Sequence, residues 1–148
     1  AVTELDDRVN LSLAHKRWSQ GEAGKTVLEG EPVVVDCPCD EDPHGPALLG
    51  ALALGRQPQA SLLTLYQGWV DVLLALDAAR RTGRFEILGI AERRAARREA
   101  LRDCARLDAE MARLRTAAAK ERQMARQVEL NLELKRAEVA RKAALAQL

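Results

Sequence analysis

AERRAARREALRDCARLDAEMARLRTAAAKERQMARQVELNLELKRAEVARKAALAQL, residues Ala91 to Leu148, runs for 58 residues without a proline or a glycine. Ala, Arg, Glu, Leu and Lys dominate it, and all five are good helix formers. At about 1.5 Å per residue, one unbroken helix of this length would span roughly 87 Å. Leu107, Met111, Leu114, Ala118, Glu121, Ala125, Val128, Leu132, Lys135 and Val139 follow one another at alternating spacings of three and four, the signature of a heptad seam, with charged residues at Glu121 and Lys135. A second stripe, Leu130, Leu134, Ala137, Ala144 and Leu148, lies on the other side of the last turns. Two stripes exceed what a single-seam dimer needs. Either the helix bends back near Thr116 to Lys120 or its end meets two partners. Thr116 to Ala119 contains no helix breaker, which favours one continuous, coiled-coil-like helix.

Upstream, Ser61 offers an oxygen for a helix N-terminus, and Leu62, Leu65, Trp69, Leu73 and Leu76 recur at helical spacing, widened by Tyr66, Val70 and Leu74. Arg80 and Arg81 stand where cations suit a helix end, and Gly83 suits the left-handed position beyond it. The pattern predicts an amphipathic helix from about Leu62 to Arg81, followed by an apolar linker through Phe85, Ile87, Leu88 and Ile90. Between Cys37 and Pro46, three prolines and three consecutive acids make a loop, and Pro46 to Leu54 has room for one short helix or turn.

Only the N-terminal part has strand character. Val9, Leu11 and Leu13 alternate with Arg8, Asn10 and Ser12, and Lys25 to Glu29 with Pro32 to Asp36 return to the same character after a polar stretch, predicting a hairpin with its tip near Gln20 to Gly24. Two strands alone are marginal in water, so a further strand or a helix must cover them. The chain opens without Met in what reads as a strand, which predicts the C-terminal part of a longer polypeptide or a trimmed chain. Aromatics make up 3% of the 148 residues although 47% are hydrophobic, a helix-forming composition that excludes an all-β fold. The expected fold is α+β and predominantly α, in three segments: a hairpin and acidic loop over 1–60, an amphipathic helix and linker over 61–90, and a long helical region over 91–148.

Charge and cysteine content narrow the setting. Residues 1–90 carry a net charge of −5 and residues 91–148 carry +6. Three cysteines, Cys37, Cys39 and Cys104, do not form an even disulfide framework, and the longest nearly uncharged stretch, Gln57 to Val70, is polar-interrupted and too short for a bilayer. A soluble chain in a reducing cytoplasm, with no membrane partner, is the expectation.

Several constellations invite chemistry. Ser19 to Thr26 ends in Gly-Lys-Thr like a phosphate-binding loop, but it lacks the first glycine and leads into strand rather than helix, so a hairpin turn is expected. Cys37, Cys39 and His44, with His15 as a fourth, lie close enough in sequence to ligate a metal, although structural zinc sites usually pair cysteines two to four residues apart in two clusters. An acidic loop with free thiols is the plainer reading, and no metal or cofactor is expected. Glu22 and Lys25 could serve a nuclease only with further carboxylates from a sheet core this chain does not show, so catalysis by this chain alone is not expected. Arg93, Arg94, Arg97 and Arg98 form a basic patch that Arg102 and Arg106 continue, and Lys16 and Arg17 beside Trp18 add cations at a strand end. Such groups can hold a nucleic-acid backbone, while Glu92, Glu99 and Asp103 can equally neutralise them on a solvated helix face.

The tail Lys120 to Arg136 resembles the closing helix of an uncharacterised bacterial family, known as a domain of unknown function. Leu65 to Asp71 with Arg80 to Phe85 resemble that family's preceding helix and turn, and Leu13 to Arg17 with Gln20 to Lys25 its central strand pair. Members extend further upstream and often lie beside DNA methyltransferases and helicases in defence loci. The resemblance therefore implies an accessory subunit of a DNA-modification or anti-phage assembly, with no catalytic residues to carry over. Three functional readings follow. The first is an interaction module that meets itself or a larger helicase- or methyltransferase-type subunit through Leu107, Met111, Leu114, Val128, Leu132 and Val139, with Leu114, Val128 and Leu132 buried at the partner. The second is a nucleic-acid-binding accessory using Arg93, Arg94, Arg97, Arg98, Lys16 and Arg17. The third is the C-terminal part of a nuclease-like protein.

Overall fold

In a computed structural model, residues 1–5, 8–37 and 42–148 are described, and they fall into two compact units, Ala1–Ile87 and Leu88–Leu148. The fold is α+β and predominantly α, as its composition dictates. The first unit begins with three strands, β1 (Val2–Leu5), β2 (Arg8–Trp18) and β3 (Thr26–Cys37), paired antiparallel in the order β1-β2-β3. The expected hairpin is thus β2 and β3, its tip at 19–25, and β1 supplies a third strand. Two short helical pieces follow, α1 (Gly45–Leu52) and a 3-10 turn (Leu54–Arg56), and then α2 (Leu62–Thr82).

Alternation in the strands decides what the sheet buries. Leu11, Leu13, Val33 and Val35 share one face, where they pack with Leu48 and Ala51 of α1 and Val72, Leu73 and Leu76 of α2, while Val34 points away and is exposed. Ladder register slips between Leu13 and His15, leaving Ala14 out of the pairing. Its backbone is satisfied from the helix instead: the Ala14 N–H donates to the Tyr66 hydroxyl at 2.7 Å, and that hydroxyl donates to the Ala14 carbonyl at 2.8 Å. The His15 ring meets the Tyr66 ring edge to face, with centroids 5.3 Å apart.

The ends of α2 follow local rules. Ser61 and Thr64 form a capping box, each side chain accepting from the other's backbone N–H. Gly83, at φ 79°, takes the left-handed position that closes the helix. Carbonyls left over at the end of α1 are met by side chains, Gln57 Nε2 donating to Ala51 O at 2.5 Å and Trp69 Nε1 to Leu52 O at 3.0 Å. Among the described residues α2 is long and apolar enough to cross a membrane by length and composition, a property the shorter stretch ending at Val70 did not suggest. Val72, Leu73 and Leu76 lie in the core of the first unit, and core helices meet the same criterion.

The second unit corrects the expectation of one continuous helix. It holds two antiparallel helices, α3 (Ala91–Lys120) and α4 (Met124–Leu145), joined by three residues of which Glu121 and Gln123 are extended. Neither glycine nor proline makes the break. Glu121 takes an extended backbone at ψ 132°, and its carboxylate accepts from the N–H groups of Arg122 at 2.7 Å and Gln123 at 2.8 Å, donors that a continuing helix would have used internally. What drives the fold-back is the second stripe. Leu130, Leu134 and Ala137 of α4 pack onto Leu107, Met111, Leu114 and Ala118 of α3, whereas a single straight helix would leave both stripes in water. Arg115 to Glu138 at 3.3 Å and Arg141 to Asp108 pair across the seam, and Gln127 reaches the Ala118 carbonyl.

Candidate interaction surface

Folding back divides the ten-residue heptad seam into halves with opposite fates. Leu107, Met111 and Leu114 lie inside the hairpin, at 5%, 7% and 1% exposure. Val128, Leu132 and Val139, their continuation in sequence, stand at 52%, 54% and 71%. The reason is geometric. Leu130, Leu134 and Ala137 occupy the inner side of α4, and at 100° per residue Val128, Leu132 and Val139 fall on the opposite side. Leu114 is therefore buried by its own chain rather than by a partner, whereas Val128 and Leu132 keep the exposure that docking requires. Ala125 and Lys135, also exposed, complete the outer stripe.

The four arginines of the expected basic patch are not equivalent. Arg93 is exposed, Arg94 and Arg98 are half-buried, and Arg97 is buried at 5% exposure. Arg97 stands on the same stripe as Leu101, Cys104 and Leu107, all buried, so the seam extended backwards by nearly three turns could have placed it. Farther along, Arg106 pairs with Asp103 at 3.1 Å and Glu110 at 3.7 Å, the neutralisation expected of a solvated helix face. Lys16, Arg17 and Trp18 are exposed near the end of β2, with Trp18 at 70%.

The remaining constellations have structural explanations where they are described. Ser19 Oγ accepts from the N–H groups of Gly21 and Glu22, Lys25 pairs with Glu22, and Thr26 opens β3, so the Gly-Lys-Thr stretch is a hairpin tip. Cys39 and the side chain of Cys37 lie outside the described residues, and so does the metal reading that rests on them. Among the described residues no group of three or more His, Cys, Asp or Glu is placed to hold a metal ion. Cys104 is fully buried in α3.

One polar site escaped the sequence reading. Asp36, Asp42, His44, Ala79, Arg80 and Gly83 line an open cavity of about 540 Å³ beside the C-terminal end of α2. Arg80 spans it, donating from Nε to Asp42 Oδ2 at 2.7 Å and from Nη2 to the Asp36 carbonyl at 2.5 Å. Burial opposes ionisation of Asp42, but the His44 backbone N–H at 2.8 Å and the Arg80 guanidinium outweigh it and hold the carboxyl below its usual range. These partners are 38 residues apart, and no local spacing announces them. With its cation and anion engaged with each other, the site fastens the segment before α1 to the end of α2.

A pH-dependent loss follows. A carboxyl whose folded pKa lies below its unfolded value, about 3.9, stabilises the fold above that value and stops doing so as pH falls through the lower, folded one. Asp42→Asn should therefore cost about 1 kcal/mol at pH 7, a modest figure because Arg80 is about one-third exposed. The difference from wild type should close as the pH drops below about 4. Urea midpoints compared across pH would test it, and a gap unchanged down to pH 2 would assign the stabilisation elsewhere.

A small antiparallel sheet covered by helices, together with a helical hairpin whose second helix turns apolar side chains to solvent, defines the class: an α+β protein that is predominantly α. The family model described as Domain of unknown function (DUF4391) matches residues 1–140, and the chain belongs to that family. Comparison with curated proteins and with solved structures gave no significant match.

Proposed function

We propose that the protein is an interaction subunit that docks through the outer face of α4. The observation that carries this reading is the exposure of Val128, Leu132 and Val139 on one side of a helix whose opposite side is already buried. Burying a large aliphatic side chain is worth about 1.5 to 3 kcal/mol, so three in a row favour association by several kcal/mol before its entropic cost. Exposed apolar side chains in register on one helix are how helix-in-groove and helix-pair contacts are made. Together with the resemblance to proteins found beside methyltransferases and helicases, this surface supports the role of an accessory subunit in a bacterial DNA-modification or anti-phage assembly.

Val128→Glu is the direct test. The side chain is half-exposed, so the fold should keep its helical content, while a carboxylate in the contact should weaken association about thirtyfold. These 148 residues, of 16.3 kDa, expressed as such in their native cells, should travel well above that mass, and the variant should travel near it. A wild-type chain that travels alone in its own cells would overturn the reading.

A further inference from the structure

We propose that the occupant of this face is a second copy of the chain, its α4 laid antiparallel against the first about a twofold axis; the inference rests on the docking reading above. The outer stripe is a short heptad seam, Ala125, Val128, Leu132, Lys135, Val139 and Lys142, with Glu129 and Arg136 along one of its borders. Exposure of Glu129 and Arg136 leaves both able to reach across a contact. Two features of this pattern choose the alignment.

The first is the seam itself. In a parallel, in-register pair, Lys135 would face the partner's Lys135 and Lys142 the partner's Lys142, placing like charges opposite each other at two layers. Turned antiparallel, Lys135 lies across from the partner's Leu132, Val128 from the partner's Val139, and Lys142 from the partner's Ala125. No layer then sets lysine directly against lysine, and each ammonium can leave the seam along its own methylene stem.

The second is the border. Glu129 and Arg136 are opposite in sign and seven residues apart on the same side of the helix. In the antiparallel alignment Glu129 faces the partner's Arg136, and symmetry repeats the pair at the other end. One surface thus carries both halves of its own complement, which a surface shaped for an unrelated partner has no reason to do. Arg126, which holds Glu129 at 2.6 Å within the helix, is an exposed neighbour, and a pair of that kind is too weak to prevent the exchange. Four helices would then lie in a row, each α4 gripped by its own α3 on one side and by the other α4 on the far side.

Light scattering on the purified chain tests this. The mass should be twice 16.3 kDa. Glu129→Arg should weaken the dimer about tenfold by setting arginine against arginine at both ends of the contact, and adding Arg136→Glu should restore it to within about threefold. Lys135→Leu should tighten it, because a charged seam position costs stability. A purified monomer found while the chain in its cells still travels in a large complex would overturn self-pairing and leave docking standing; a chain that is monomeric in both settings would overturn both. A dimer indifferent to the Glu129 and Arg136 exchange would overturn the antiparallel alignment.

Discussion

Leu114→Ala will lower the stability of the helical hairpin by about 2 to 5 kcal/mol, whereas Leu132→Ala will change it by no more than about 0.5 kcal/mol. Both leucines belong to one heptad seam in the sequence. Leu114 is 1% exposed and packs with Ala118 and Leu130, so truncation removes its burial and leaves a cavity that two helices held together by a short connection cannot close. Leu132 is 54% exposed on the outer side of α4, and truncation there removes surface that already meets water. Urea midpoints of the two variants, each measured at a concentration where the protein is monomeric, would separate them. Equal losses would mean that the seam is continuous and that the break at Glu121 does not divide it.

That pair of residues also shows what the sequence makes legible. Caps are local, so Ser61 and Gly83 mark the ends of α2 within a residue of where they stand in the structure. Alternation is local too, and it gives β2, β3 and the inward face of Leu11, Leu13, Val33 and Val35. The turn between α3 and α4 has no such mark. Neither glycine nor proline occurs there, and Glu121 stands at the end of α3 in extended backbone, its carboxylate accepting the next two N–H groups. The stripe of Leu130, Leu134 and Ala137 carried the information, since a second apolar face on a long helix must be covered by something. Three surrounding contacts stayed hidden because they join distant residues: Tyr66 with Ala14, Arg80 with Asp42, and Arg141 with Asp108. Of the candidate surface, the stripe Val128, Leu132 and Val139 could be read as apolar, but its exposure depends on which stripe the hairpin uses.

Gly68→Val will destabilise the first unit by roughly 3 kcal/mol, towards the upper end of overpacking costs. Gly68 lies within α2, where a glycine costs up to about 1 kcal/mol against alanine, so helix propensity alone favours replacing it. Space reverses the sign. A Cβ at this position would stand 2.5 Å from Gln57 Oε1 and 2.8 Å from Pro58 Cδ, both well inside van der Waals contact. Neither neighbour yields cheaply. Gln57 is buried, its amide committed to the Ala51 carbonyl at 2.5 Å, and Pro58 is a ring whose movement drags the backbone. Displacing them would strip the end of α1 of its donor and loosen the Trp69 hydrogen bond to the adjoining Leu52 carbonyl. Gly68→Ala should show the same sign with a smaller loss, because the Cβ collision is shared and only the two γ carbons are spared. Thermal unfolding of both variants would decide it: a gain in stability for the alanine variant would mean that the 57–58 segment moves aside freely and that helix propensity, rather than the close approach, governs the position.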